Sequence, residues 1–600
     1  MTVAILPSGT EPEQLGEVAG ISPGAMSAGL AEVSAVQTYL DIGAGNRVFT
    51  SLYDFEPPVV TRVGGRVPGW DEFVRRAESA PADIVPGLLA STLEEQGMDV
   101  WADPLLTSPA LIAANREGRV RRTKPLECLD RRCPGLAVVP STVGELRGLV
   151  GRLRSDDLLI AIERPPPPRR ESLAIGIAGA GFDGNLTSDT TRTDGFVAAT
   201  DVAPTVLERF SLDTPDEMSG RPIRSEGEPD AAAVADRTDR MKVVSGRRSP
   251  AILDNLMIWL GLALAVALLS RGRWAGTAFS LGGLATAYLP TLLLVGAAVQ
   301  PSLLGERLIV GLGAPALAAL TLLLARGWLA LAIACAVTVG AYALDVIAGS
   351  PLSARSLLGP NPGLGVRFFG IGNELEATLA VLITVGVGAA LAAARQLGRP
   401  PSPRAAIVAF LVTGGAFAVV FAAGRFGADV GAAIVFPAAA AMAALAVPGA
   451  LARRRLVLLV VGAPVLGLAL LALLDLVLGG DAHLSRSVLE AGGRDELADV
   501  FERRLRLSAS SFGRATAQTL FWVVLAAIAL VIWQRRRVLS WFAGEPLARA
   551  GFAGAAGAVL LGTVANDSGA TFLIIGSIAL LGCLAFAYGR QADSVPDRTN

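Results

Sequence analysis

Histidine is almost absent: His483 is the only one in 600 residues. No His-built metal centre is therefore available, and a lone imidazole in the loop 480–514 carries no expectation of a role. Lysine is nearly absent too, so almost all of the 52 basic residues are arginine. Charge as a whole is scarce. Only 18% of residues are charged, against roughly 25% in soluble globular proteins. The net charge of −1 gives no reason to expect a nucleic-acid partner. A phosphate-cradling Gly-x-x-x-x-Gly-Lys-Ser/Thr loop is missing as well. Cysteine is limited to four positions. Cys335 and Cys583 lie inside apolar runs and read as packing residues. Cys128 and Cys133 bracket a short polar stretch. They are close enough in sequence to pair as a local disulfide outside the cytoplasm, or to stay as two free thiols.

What is abundant is apolar sequence, 52% of the chain, and it is unevenly placed. Residues 1–250 carry charges throughout, while 256–590 are long Ala/Leu/Val/Gly runs broken by brief polar punctuation. The expected organisation is a soluble α/β domain over 1–223, a polar linker over 224–251, a polytopic membrane domain over 252–590 and a tail over 591–600. Runs near the length needed to cross about 30 Å of hydrocarbon fall at 252–270, 276–298, 308–325, 328–348, 374–394, 405–423, 429–450, 456–478, 516–533, 548–565 and 570–589. The fold class expected is thus an α-helical membrane domain of about eleven transmembrane helices, preceded by the α/β domain.

Arginine placement gives an orientation. Arg271 and Arg273, Arg326, Arg395 with Arg399 and Arg404, Arg453–Arg455, and Arg535–Arg537 follow alternate spans, so they share one side. That side is expected to be the cytoplasm of a bacterial plasma membrane, with the C-terminal tail cytoplasmic and residues 1–250 extracytoplasmic. The loop 480–514 is arginine-rich on the opposite side, but it is long and carries as many acids. Met1-Thr-Val-Ala-Ile-Leu-Pro-Ser lacks the basic start and the long apolar run of a signal peptide. Either a signal or anchor lies upstream, or the domain is cytoplasmic and one span is miscounted.

The polar residues at membrane depth gather on the side away from the arginines. Asp345 and Asp475 sit near the outer ends of two spans. The connection containing Arg367 runs through Gly370-Ile-Gly-Asn373-Glu374-Leu-Glu376 directly into the fifth span. Gly424-Arg425-Phe-Gly-Ala-Asp429-Val-Gly431 joins the sixth to the seventh, and Asn566-Asp567-Ser568-Gly569 joins the tenth to the eleventh. Charges near hydrocarbon cost several kcal/mol unless paired or hydrated, and commonly mark a pathway or site. Glycine-rich backbone at that depth is tolerated when it is buried in protein or lines a wet cavity. Arg367, Asn373, Glu374, Glu376, Arg425, Asp429, Asn566 and Asp567 are therefore the candidate substrate-binding set of one outward-facing pocket. Taken singly, each also fits a loop residue at the water interface, as in an Arg425–Asp429 ion pair.

Such a set has several chemical uses. Carboxylates hold divalent cations, and through them phosphate; they relay protons; they act as general bases. Arginines bind phosphate or carboxylate directly. The expected function is binding or transport of a lipid-linked or anionic cell-envelope precursor, with the lipid bilayer as the one sure partner and no cofactor indicated. Two rivals stand beside it. One is a membrane-embedded glycosyl- or phosphoryl-transferase with one of the acids as base or metal ligand. The other is a non-catalytic assembly protein that recruits partners through its N-terminal domain.

Two resemblances add to this. Gly370–Glu374, Gly427–Gly431 and Asn566–Gly569 together resemble a family of polytopic membrane proteins of actinobacteria and related Gram-positive bacteria, over roughly 255–590. That likeness implies topology and site placement but no activity. In the α/β domain, Val3–Leu6, Leu158–Ile162 and Leu173–Ala178 read as buried strands, and 84–97 and 142–154 as helices. Thr193-Asp-Gly-Phe-Val-Ala-Ala-Thr200-Asp201-Val-Ala-Pro204-Thr205, followed by Met218-Ser-Gly-Arg-Pro222, resembles a late segment of alkaline phosphatase/sulfatase superfamily domains. Val3–Leu6 and Gln37–Leu40 fit early positions of that fold. Its paired-metal chemistry does not carry over. The domain has no histidine, Leu6 leads into Pro7-Ser8-Gly9 where an aspartate is usual, and Asp183 alone cannot rebuild a two-metal site. The resemblance implies a degenerate, non-catalytic domain that binds a substrate or partner without cleaving it.

Overall fold

The computed structural model describes residues 1–60, 63–122, 135–166, 172–449, 462–463, 465–469, 508, 511–513, 515–566 and 568–594. The chain forms two units, Met1–Ser245 with Asn361–Phe368, and Gly246–Pro360 with Phe369–Asn600.

The first unit is an α/β domain. Its strands are β1 (Thr2–Leu6), β2 (Ser22–Ser27), β3 (Asp99–Ala102), β4 (Arg121–Arg122), β5 (Gly135–Pro140), β6 (Leu158–Glu163), β7 (Ser172–Gly179), β8 (Asn185–Ser188), β9 (Phe196–Ala198) and β10 (Ile223–Glu226). Eight form one sheet in the order β4-β3-β5-β1-β6-β7-β2-β9, and β10 pairs with β8 apart from it. The pairs β4–β3, β3–β5, β5–β1, β1–β6 and β2–β9 are parallel, while β7 runs antiparallel to both β6 and β2. The central strands are apolar without a break because both faces of the sheet are covered. Val3 and Ile5 of β1 enter one core with Ile160, Leu89 and Phe73. Ala4 and Leu6 enter the other, with Leu15, Leu146 and Leu159.

The helices of this unit are α1 (Pro12–Gly16), α2 (Ala35–Ala44), α3 (Trp70–Glu78), α4 (Leu88–Glu95), α5 (Val143–Val150) and α6 (Val202–Arg209). Local chemistry fixes their ends. Ser34 accepts from the Gln37 amide to start α2, and Gly45 ends it at φ 62°. Thr142 and Glu145 form a reciprocal capping box on α5. Gln37–Leu40 lies in α2 and is helical.

The stretch read as a linker over 224–251 is ordered. Its beginning is β10, and Ala231–Leu269 is one continuous helix, α7, that carries the first apolar run at its far end. Polarity did not show that this linking stretch is helical, since regular helical hydrogen bonding needs no apolar face.

The second unit is helical: the membrane part of α7, then α8 (Ala275–Val299), α9 (Leu303–Leu324), α10 (Trp328–Ile347), α11 (Asn373–Gln396), α12 (Pro403–Ala422), α13 (Val430–Leu445), α14 (Thr519–Trp533), α15 (Arg535–Ser540), α16 (Pro546–Ala565) and α17 (Gly569–Ser594). Among the described residues, eight helices are long and apolar enough to cross a membrane: α7 to α12, α16 and α17. Two further apolar helices, α13 and α14, are shorter. They fall where the seventh and ninth spans are expected; about two thirds of the expected eighth, 456–478, lies outside the described residues. Burial separates centre from rim. Within the apolar window, 72% of α11 is buried but only 17% of α7. Glycines set the closest approaches. A Cβ on Gly388 would lie 2.9 Å from Cα of Gly551, and one on Gly551 2.6 Å from the Thr384 carbonyl oxygen. Backbones of α11 and α16 therefore meet directly, as small residues permit between membrane helices.

Candidate functional site

Three glycine-rich connections of the membrane unit meet at one end of its helices. Gly370, at φ 76°, donates its amide to Ser350 Oγ at 2.9 Å, and the Ile371 amide donates to the Gly427 carbonyl at 3.0 Å. A side chain at Gly370 would run into that same carbonyl. The loop ahead of α11 is thus pressed against the α12–α13 connection. Asp345, 7% exposed, is a structural tie there. Its carboxylate accepts from the amides of Leu352 and Ser353 at 2.9 and 2.8 Å and from the Ser353 hydroxyl.

Onto this frame the third connection brings Asn566. Its Nδ2 donates to Glu376 Oε2 at 2.9 Å and to Asn373 Oδ1 at 3.3 Å. Its Oδ1 accepts from the Ser568 amide at 3.0 Å. The amide orientation is settled by this pattern, since only the nitrogen can face two acceptors while the oxygen faces an N–H. Glu376 is fully buried, Asn566 is 7% exposed, and they come from positions 190 residues apart. Gly431 makes room for the carboxylate: a Cβ there would sit 2.7 Å from Glu376 Oε2 and 2.8 Å from Oε1. Asp429, 3% exposed, caps α13 by accepting the Gly431 amide at 3.1 Å. Glu374 and Glu376 occupy the first turn of α11, where the helix dipole favours negative charge.

Helix geometry separates the two glutamates. Residues two apart on an α-helix do not share a face. Glu376 joins Asn566, whereas Glu374 is part-exposed and pairs with Arg248 of α7, Oε1 to Nη1 3.2 Å. Arg248 also donates to the Gly359 carbonyl at 2.7 Å. Sequence reasoning missed Arg248, and likewise the Arg247–Glu306 pair at 3.4 Å, in which Glu306 is 1% exposed. Both arginines stood in the presumed linker, so nothing marked them as membrane-unit residues. Of the expected set, Asn373, Glu376, Asp429 and Asn566 come together, with Glu374 on the adjoining side. Arg425 is exposed, and Arg367 is half-buried in the segment 361–368 that belongs to the α/β unit. Asp567, Cys128 and Cys133 lie outside the described residues.

In the α/β unit, Asp201 is a fastening point. Fully buried, it accepts from Ser188 Oγ at 2.7 Å, Thr190 Oγ1 at 2.6 Å, the Ala198 amide at 2.8 Å and the Arg221 amide at 3.0 Å. Burial pushes its carboxyl pKa up, and those four donors pull it back. Asp41 is equally buried but bonded only on one side, by Gln37 Nε2 at 2.6 Å. Burial raises its pKa to about 7, against the pull of Gln37, Arg47 and Arg76. A Gly-x-Ser-x-Gly pattern, not expected from the sequence reading, does occur, at Gly20-Ile-Ser22-Pro-Gly24. Ser22 is 1% exposed and begins strand β2, so it is not the exposed nucleophile of a strand-to-helix elbow. Compared with protein-family models, curated proteins and solved structures, the chain finds no match in any of the three.

Proposed function

We propose that this integral membrane protein binds or transports a lipid-linked or anionic envelope precursor through the polar cluster at the glycine-rich end of its helices. One observation carries the reading. A fully buried glutamate of a membrane helix is hydrogen-bonded to an asparagine from a distant helix junction, with glycine on its other side. Burying such polar groups at membrane depth is costly, and that cost is commonly met where a ligand or ion is handled. Asn566, Asn373 and Glu376 offer donors and acceptors for a polar headgroup. Arg248, beside part-exposed Glu374, offers a cation for a phosphate or carboxylate. In this reading the cluster faces the outside, because the arginine-rich connections that tether membrane proteins to the cytoplasm lie at the other ends of the spans. The α/β unit is then an extracytoplasmic, non-catalytic domain of alkaline phosphatase-like type. The succession of β9, a turn at Ala199–Asp201 and α6 supports that likeness, and the Asp201 carboxylate is consumed in holding the turn.

The test uses the full chain in lipid nanodiscs with a polyisoprenyl phosphate as probe, its binding read by native mass spectrometry. Glu376→Gln, Asn566→Ala and Arg248→Ala are each expected to weaken binding about tenfold or more, the equivalent of one lost charge-assisted hydrogen bond. Affinity unchanged in all three variants rejects the site.

A further inference from the structure

The α/β unit includes a piece of chain from far away in sequence, Asn361–Phe368, flanked on both sides by residues of the membrane unit. Its seat is at the carboxyl ends of β2 and β9, whose last residues, Ser27 and Ala198, lie side by side in parallel register. That edge is where open α/β sheets usually receive ligands. The segment is a tight turn: Asn361 at φ 56°, a single 3₁₀ turn over Pro362–Leu364, then Gly365 at φ 66°. The sheet edge reads its backbone. The Ala31 amide donates to the Leu364 carbonyl at 2.7 Å, and Arg47 Nη2 donates to the Gly365 carbonyl at 2.9 Å. Arg47 is itself aimed by Ser27 Oγ and the Gly29 carbonyl, both 3.2 Å from Nη1.

Only glycine fits at 365. Its φ is left-handed, and a Cβ there would overlap both the Gly29 carbonyl oxygen and Ser27 Oγ. Three residues on, Phe368 is 5% exposed. Its ring lies 5.9 Å from that of Phe196 on β9, and the Arg47 guanidinium stands 5.5 Å from its centre. Paired carbonyls, a glycine without space for a side chain and an aromatic anchor under an arginine are the parts of a peptide-recognition site. Incidental loop packing requires none of them.

We propose that the carboxyl edge of the α/β sheet is a receptor site for a Pro-Gly-Leu-Gly-x-x-Phe turn, and that the chain fills it with its own residues 361–368. A covalently attached turn has an effective concentration on the order of millimolar. A diffusible peptide with the same features therefore competes poorly while the attached turn is intact. The inference is independent of what the membrane unit carries.

The probe is a fluorescent peptide of sequence Asn361–Phe369, and binding to the detergent-solubilised full chain is read by anisotropy. The native chain, already occupied, is expected to show no saturable binding at ~10 µM peptide, about a hundredfold below the attached turn's effective concentration. Gly365→Val ejects the attached turn, so that variant should bind the peptide saturably and exchange its Ala31 amide at least tenfold faster. Adding Arg47→Ala should abolish the binding. Phe368→Ala is a second, milder way of vacating the site and carries the same expectations. Hydrogen exchange in β1 and β5 reports that the sheet is folded in each variant. If neither vacated chain binds the peptide while the sheet is protected, or if Ala31 stays as protected as in the native chain, the proposal is wrong.

Discussion

Asp41 and Asp201 are both buried aspartates of the α/β unit, and the difference between them is one of partners. Asp201 has four donors around its two oxygens; Asp41 has one, on a single oxygen. Desolvation without full compensation is what lifts Asp41 to about 7. The folded state therefore holds a proton that the unfolded chain, near 3.8, releases. Stability from this group is complete below the unfolded value and is lost as pH rises through about 7, then stays level. The loss amounts to about 4 kcal/mol at most, at 1.36 kcal/mol per pKa unit. Asp41→Asn, neutral at every pH, should flatten this dependence. Urea midpoints of the α/β unit in the full chain should show the variant's advantage growing from pH 5 to pH 8. A native midpoint as flat as the variant's would contradict the assignment. Asp201 was marked in the sequence only as part of the Thr193–Thr205 segment, and Asp41 not at all, because an aspartate between apolar residues looks the same whether it caps a turn or sits unsatisfied in a core.

Among elements, α16 decides the geometry of the polar cluster. Gly551 faces α11, Gly554 and Gly557 face α13, and Asn566 follows the helix end. Glu376 is on α11 and Gly431 on α13, so the approach of these three helices sets where the Asn566 amide falls. Gly551→Val would place carbon within 2.6 Å of the Thr384 carbonyl. Overpacking of this kind costs about 1–3 kcal/mol. We expect a lower thermal midpoint in detergent, together with loss of the polyisoprenyl phosphate binding that depends on Asn566. Gly415→Val is the control, since a Cβ at Gly415 meets nothing within 4 Å. Equal behaviour of the two variants would remove α16 from this role. The helical pattern of α16 was legible in its apolar run. Which glycine faced which neighbour was not, because helix packing depends on rotation about the axis as well as on composition.

For the whole molecule, the ordered alternation of spans puts Gly424–Asp429 and Asn566 at one end of the helices and Arg271, Arg273 and Arg535–Arg537 at the other. With the four native cysteines changed to serine, Arg425→Cys should react with a membrane-impermeant maleimide on intact cells. Arg273→Cys should react only after permeabilisation. The reverse labelling would invert the proposed orientation. The sequence by itself determined that the chain has a charged α/β part and a multi-pass helical part, because the cost of exposing backbone or charge to hydrocarbon imposes a length and composition visible in any one segment. It also marked three connections as unusual, since glycine beside acid is rare at membrane depth. Tertiary structure alone decided that Glu376 meets Asn566, that Glu374 turns to Arg248, and that residues 361–368 belong with the α/β unit. Those outcomes depend on contacts between positions tens to hundreds of residues apart, and such contacts are fixed by packing and by the space that individual glycines leave, which no local pattern records.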